Sequence, residues 1–225
     1  MLECQPRWTQ PCQNPNSDPS HTSKGFDMLQ LLIGLLLFGG VHSLHSLTPN
    51  LRQRAISRLG LLGYKGLYSV LSLLGFYLLV QGYSQARLEP VVLWAPPPGM
   101  AHATLALMWL AMVLLVASYV PGNLLRARLR HPMTLSVKVW ALAHLLSNGQ
   151  LADVLLFGVM LVWAVSVFRA ARRRDRTGLN SPAPVHVWGT LITLALGTGL
   201  WAAFLWGDLH VWLIGVQPLA MAGAI

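Results

Sequence analysis

Between Met28 and Trp206 the chain alternates six long apolar runs with short polar or basic connections. The runs cover approximately residues 28–47, 61–83, 102–120, 132–147, 151–169 and 187–206. A helix needs about 20 residues to cross the hydrocarbon of a bilayer, within a range near 17–25, so each run predicts a transmembrane helix. The fourth is the shortest. Pro132 suits its first turn, where a missing N–H costs nothing, and Lys138 can extend its amine to the near interface. Ser147-Asn148-Gly149-Gln150 predicts a tight helical hairpin between the fourth and fifth runs, with Gly149 ending the helix. The pattern predicts an all-α fold, a polytopic membrane bundle of six transmembrane helices.

The flanks read differently. Residues 1–27 are polar, rich in Pro, Gln, Asn and Ser, and lack the basic start and apolar core of a signal peptide. They predict a disordered tail, with Met28 as an alternative start that leads straight into the first run. Residues 28–218 form the membrane domain and 219–225 a short C-terminal tail. The stretch from His210 to Ile225 contains Pro218 and is read as interfacial rather than spanning.

Charge fixes an orientation. Arg52, Arg54 and Arg58 follow the first run, Arg126, Arg128 and Arg130 the third, and Arg169, Arg172, Arg173, Arg174 and Arg176 the fifth. The other connections hold Arg87 or nothing. Every second loop is basic, and basic loops stay in the cytoplasm, so the expected location is the inner membrane, multi-pass, with both termini periplasmic. Composition agrees: 54% of residues are hydrophobic and 10% charged, against about 25% charged in soluble domains. The net charge of +9 therefore reports orientation and not nucleic-acid binding. The lipid bilayer is the expected partner.

Asp and Glu total seven, none in the middle of a run, which argues against a carboxylate proton relay. The runs contain histidine instead, and ionisable groups at membrane depth are functional candidates. His42 lies in the first run with His45 one turn later on the same face, and His144 lies in the fourth. His131 stands at the start of that fourth helix; His102, His186 and His210 fall at helix ends or beyond. An imidazole in a bundle can simply hydrogen-bond a backbone carbonyl. It is also a common haem ligand, and bundles build cofactor sites from facing side chains; spacing alone does not decide. Trp140, one turn before His144, either walls a cofactor or packs. Gly60, Gly63 and Gly66 recur every third residue and predict close helix contact. Lys65 is expected, like Lys138, to reach the interface. Cys4 and Cys12 lie in the tail without a metal or redox spacing.

Several blocks resemble one bacterial family, NnrU. They are His42-Ser43-Leu44, Tyr64-Lys65-Gly66-Leu67-Tyr68-Ser69, Pro90-Val91-Val92-Leu93-Trp94, His131-Pro132-Met133, Lys138 to Leu146, Asn148-Gly149 with Leu151 to Gly158, and Trp212 to Val216. The resemblance covers about residues 28 to 218. The family name is tied to nitrogen-oxide respiration in denitrifying bacteria. The same superfamily holds the 15-cis-zeta-carotene isomerase, a haem b membrane enzyme. That enzyme is similar here in a histidine–serine pair, matched by His42-Ser43, and in Arg-His-Pro followed by Trp-x-x-Ala-His, matched by Arg130-His131-Pro132 and Trp140 to His144. The resemblance implies haem b, with His42 and His144 as axial iron ligands and His131 and Trp140 as further cofactor-binding residues. A cysteine of the isomerase three residues before its second ligand is Ala141 here, so the resemblance does not extend to that alternative ligand.

The expected function is thus an NnrU-like, haem-binding membrane protein with redox-dependent isomerase activity on a hydrophobic small molecule. The alternative is a non-enzymatic auxiliary factor in nitrogen-oxide metabolism. A membrane methyltransferase, which also uses Arg-His-Pro, is disfavoured because only Asp153, Asp175 and Asp208, and no Glu, follow the motif. Counting rise along each helix, His144 lies about 20 Å past His131 and His42 roughly 8–10 Å from the inner end. The two imidazoles are then both inside the membrane, offset by several ångströms, and His131 lies far below.

Overall fold

The computed structural model describes residues 20–177, 184–207, 209–215 and 217. They form eight helices: α1 Ser20–Ser46, α2 Pro49–Ala86, α3 Met100–Ala117, α4 Leu124–Leu129, α5 Pro132–Ser147, α6 Leu151–Thr177, α7 Val187–Trp206 and α8 Leu209–Ile214. Among the described residues there is no strand beyond one isolated bridge. The tails 1–19 and 218–225 lie outside the described residues, and α1 is already helical eight residues ahead of Met28.

The chain is an all-helical, multi-pass membrane protein. α2, α3, α6 and α7 are long and apolar enough to cross a bilayer; the apolar part of α1, Met28–Leu44, and the 16-residue α5 are shorter. Leu36, Leu62, Val70, Leu73, Val162 and Trp188 are exposed along these helices. Apolar surface of that extent on a monomer is solvated by lipid, not water.

The basic stretches are not loops. Arg52, Arg54 and Arg58 lie on the first turns of α2, which Pro49 opens because its fixed φ suits a first turn. Gly60, at φ 71° and ψ 167°, then breaks the helix between this arginine arm and the apolar span; only glycine takes such a conformation without strain. Arg126 and Arg128 sit on α4, and Arg169 to Arg176 on the last turns of α6. Helix satisfies its own backbone at an interface, which a loop cannot.

Contacts run from helix to helix in one order: α2 on α1, α1 on α6, α6 on α5, α5 on α3 and α3 on α7. The glycines that permit this are not the predicted trio. A Cβ on Gly66 would meet nothing within 4 Å, and on Gly63 only the Leu59 side chain. A Cβ on Gly75 would come within 2.7 Å of the Phe38 backbone, and one on Gly34 or Gly82 would strike the backbone of Leu79 or Leu31. Three glycines therefore close α1 onto α2, the small-residue logic of membrane helix pairs. On the other side, Ser136 Oγ donates to Ala111 O at 2.7 Å, Thr104 Oγ1 to Ala143 O at 3.1 Å and Trp201 Nε1 to Leu105 O at 3.1 Å, tying α3 to α5 and α7.

The α5–α6 hairpin forms as expected, but Gly149 plays another part. α5 ends at Asn148 in extended backbone, and Gly149 packs directly on the Trp94 carbonyl, where a side chain has no room. Leu93 N–H donates to Gly149 O at 2.8 Å and Leu151 N–H to Val91 O at 2.8 Å. Two sequence blocks that carry the family resemblance thus meet as a clasp between the α2–α3 connection and the hairpin.

Candidate functional site

Leu31, Leu35, Phe38 and His42 recur along one face of α1 at helical spacing. Leu31 and Leu35 enter the main core with Leu79, Tyr83, Ala141, Ala152, Leu156 and Phe157. One turn further, the stripe changes from aliphatic to aromatic and ends on an imidazole. His42 Nδ1–H donates to the Phe38 carbonyl at 2.8 Å, a bond that places the ring proton on Nδ1 and leaves the Nε2 lone pair as the reactive position. Its ring lies 4.2 Å from Phe38, 5.5 Å from Tyr68 and 6.3 Å from Trp163, centroid to centroid.

The ring contacts continue outward. Tyr68 is 6.1 Å from Tyr64, and the Arg52 guanidinium lies over the Tyr64 ring at 5.8 Å. The Gly60 break is what returns Arg52, twelve residues earlier, onto Tyr64. Three buried polar atoms on this path have no hydrogen-bond partner: Arg52 Nε, Tyr64 Oη and Trp163 Nε1. Tyr64 is only 8% exposed. Buried polar groups nearly always find partners, and an orphan calls for an explanation such as an absent ligand. His42 therefore sits in an aromatic cluster of α1, α2 and α6 that is short of hydrogen-bond partners.

His144 is held otherwise. Its ring stacks on Phe157 at 4.4 Å and 9° and meets Trp140 edge-on at 5.5 Å. Asn148 Nδ2 stands 3.2 Å from Nδ1; with the amide donating, the ring proton goes to Nε2, and a protonated nitrogen has no lone pair for a metal. Trp140 also packs edge-on against Phe157 at 5.1 Å. Beside this group Tyr83 Oη donates to Asp153 Oδ1 at 2.6 Å, and Gln150 N–H to Asp153 Oδ2 at 3.2 Å. Asp153 in the first turn of α6 reaches back to the preceding N–H as in a capping box.

The two histidines meet α6 at different heights. α6 is the helix that both pack against, and their contacts on it, Trp163 and Phe157, are six residues apart. That is about 9 Å along the axis and about 120° around it. His131 lies elsewhere, at the arginine-rich end, with Nε2 3.0 Å from Asp175 Oδ2 and its ring edge-on to Phe168. The side chain of His45 lies outside the described residues. His186 precedes α7, and His102 lies in the first turn of α3.

Against known proteins, the model of the family described as NnrU protein matches residues 30–218. The chain belongs to the NnrU family. No curated protein and no solved structure gives a significant match. The NnrU match runs from α1 through α8 and includes both histidines, the clasp and the arginine-rich end. Arg52, Tyr64 and Trp163 were not singled out as site residues from sequence. Trp163 carried a signal, since an indole N–H in the middle of an apolar run needs a partner; Arg52 and Tyr64 carried none, because their meeting depends on the break at Gly60.

Proposed function

We propose that this NnrU protein binds haem b within the membrane, through His42 first of all. The observation that carries the reading is the bond from His42 Nδ1 to the Phe38 carbonyl, which is how proteins orient a ligating imidazole and raise its basicity. Phe38, Tyr68 and Trp163 supply apolar walls, and the unpartnered donors of Arg52 and Tyr64 suit an acidic edge such as a propionate. His144 is the second candidate ligand by family resemblance; it fits only if Asn148 presents its oxygen to Nδ1 and the gap along α6 closes. Bound haem would supply an iron centre able to change oxidation state. The chain's part is to hold it, exclude water and admit a hydrophobic substrate from the lipid, as an isomerase-like activity requires.

The same reading has six helices crossing the inner membrane, the arginine-rich end in the cytoplasm and both termini in the periplasm. The test is a pyridine haemochrome assay with reduced-minus-oxidised spectra on detergent-purified protein, wild type beside His42→Ala. A haem stoichiometry near one, lost in the variant, supports the proposal. Haem-free wild type from haem-replete cells sinks it and leaves the auxiliary role in nitrogen-oxide metabolism as the leading reading.

A further inference from the structure

The arginine-rich end holds a second constellation, apart from the cluster around His42. A cleft of about 430 Å³ is lined by Arg128 and Arg130, which flank the end of α4, and by Arg172, Asp175 and Arg176 on the last turns of α6. Four guanidiniums face one carboxylate, an excess of three positive charges before His131 is counted. Asp175 is mostly buried, with its side chain 14% exposed, and among the described residues its one close partner is His131 at 3.0 Å. Arg130 and Arg172 stand 3.7 and 4.0 Å from the same oxygen, too far for hydrogen bonds. Asp175 holds them near without using up their N–H groups.

The backbone is bent to make this arrangement. Arg130 has φ 62°, the single non-glycine residue with positive φ among the described residues, and a side chain in that region is strained. Pro132 bars its predecessor from helical backbone, and His131 is accordingly at φ −123° and ψ 57°. The two-residue turn between α4 and α5 thereby delivers Arg130 and His131 together to Asp175. Arg126 is used differently, donating to the Ser118 carbonyl at 3.1 Å. The cleft also lies at a defined depth. One turn inward from Arg172 the Phe168 ring carries the Lys138 ammonium at 3.5 Å, which marks the edge between apolar span and polar surface.

We propose that this cleft is a phosphate-binding site at the membrane surface. The planar guanidinium fork matches phosphate oxygens in pairs, and basic pockets between membrane helices at this depth take phosphate-bearing headgroups. The phosphate is carried either by an anionic phospholipid or by a small soluble ester; both present the same oxygens.

Full-length protein in neutral detergent is titrated calorimetrically with short-chain phosphatidylglycerol and, separately, with inorganic phosphate. Binding of the lipid alone identifies a headgroup, and equal binding of inorganic phosphate identifies a soluble ester. The Arg130→Ala, Arg172→Ala double variant weakens binding about tenfold or more, since hydrogen bonds to charged groups are lost. The Arg130→Lys, Arg172→Lys pair, which keeps the charge and the fold, weakens it too because an ammonium lacks the fork. Asp175→Asn removes the one negative charge that repels an anion from the cleft and tightens binding severalfold, a gain that a merely structural carboxylate would not give. Wild-type affinity in the lysine pair, or an equal loss on Arg54→Ala, Arg58→Ala outside the cleft, overturns the proposal.

Discussion

His42 and His144 are the same residue type on two helices that share α6 as a neighbour, yet their surroundings differ in kind. Around His144 most groups satisfy one another, ring on ring, amide on imidazole and tyrosine on carboxylate, and among the described residues Gln150 Oε1 is the one buried atom there without a partner. Around His42 the aromatic walls are present but hydrogen-bond partners are missing. Tyr83 and Tyr64 make the contrast sharpest, since both are 8% exposed and one hydroxyl has a carboxylate at 2.6 Å while the other has nothing. A bundle that pairs its tyrosine with a carboxylate at one end and leaves an arginine, a tyrosine and a tryptophan unpartnered at the other is better satisfied at the first and more receptive at the second.

The largest expected effect separates the histidines directly. His42→Ala reduces haem, read by the pyridine haemochrome assay, to background, because loss of a direct ligand opens the coordination site. His144→Ala retains haem with an altered spectrum. Equal and complete loss in both would mean that the two rings act as a pair and that the contrast drawn here is wrong.

Packing comes next. Gly82→Val drives a side chain into the Leu31 backbone and costs about 3 kcal/mol or more, whereas Gly66→Ala meets open space and stabilises by roughly 0.5–1 kcal/mol. Thermal denaturation in detergent distinguishes them, and similar melting temperatures would remove the α1–α2 closure. Tyr83→Phe takes a hydrogen bond from the Asp153 carboxylate and costs about 1.5–3 kcal/mol. Tyr64→Phe is the smallest and has the opposite sign: deleting an unpartnered hydroxyl leaves haem-free stability unchanged or raises it by up to about 1 kcal/mol. A Tyr64→Phe protein that melts well below wild type would show that its hydroxyl is already satisfied.

The elements were legible in the sequence for a plain physical reason. Lipid forces backbone into helix over the whole of each apolar run, so run length and Pro132 locate α5, and Asn148-Gly149 locates the hairpin. Which faces meet was not legible. Gly60, Gly63 and Gly66 have the spacing of a contact stripe, but Gly34, Gly75 and Gly82 make the contact, since spacing within one helix says nothing of its neighbour. The arginine stretches read as loops because charge resembles a connection, while Arg52 is helical and folded back on Tyr64. His42 was identified as a site residue through family resemblance; its difference from His144 rests on Phe38, Asn148 and Phe157, partners that only the fold supplies. The neighbourhood of Arg130, His131 and Asp175 spans 46 positions; Arg130-His131-Pro132 stood out through family resemblance, but nothing local tied it to an aspartate within a run of arginines.

The order of helix neighbours has a consequence for biosynthesis. α1 and α2 are partners and adjacent in sequence, so they can pair as a hairpin as soon as both have left the ribosome. α3 is different: its neighbours are α5 and α7, both made later, and its clasped connection waits for Gly149. During synthesis α3 must stand in the membrane alone. Its 18 residues, Met100–Ala117, contain no acidic or basic side chain apart from His102, which lets a lone helix persist in lipid until its partners are inserted. A ribosome stalled after α4 would release a chain with one finished hairpin and one orphaned helix, the kind of intermediate that membrane proteases are equipped to remove.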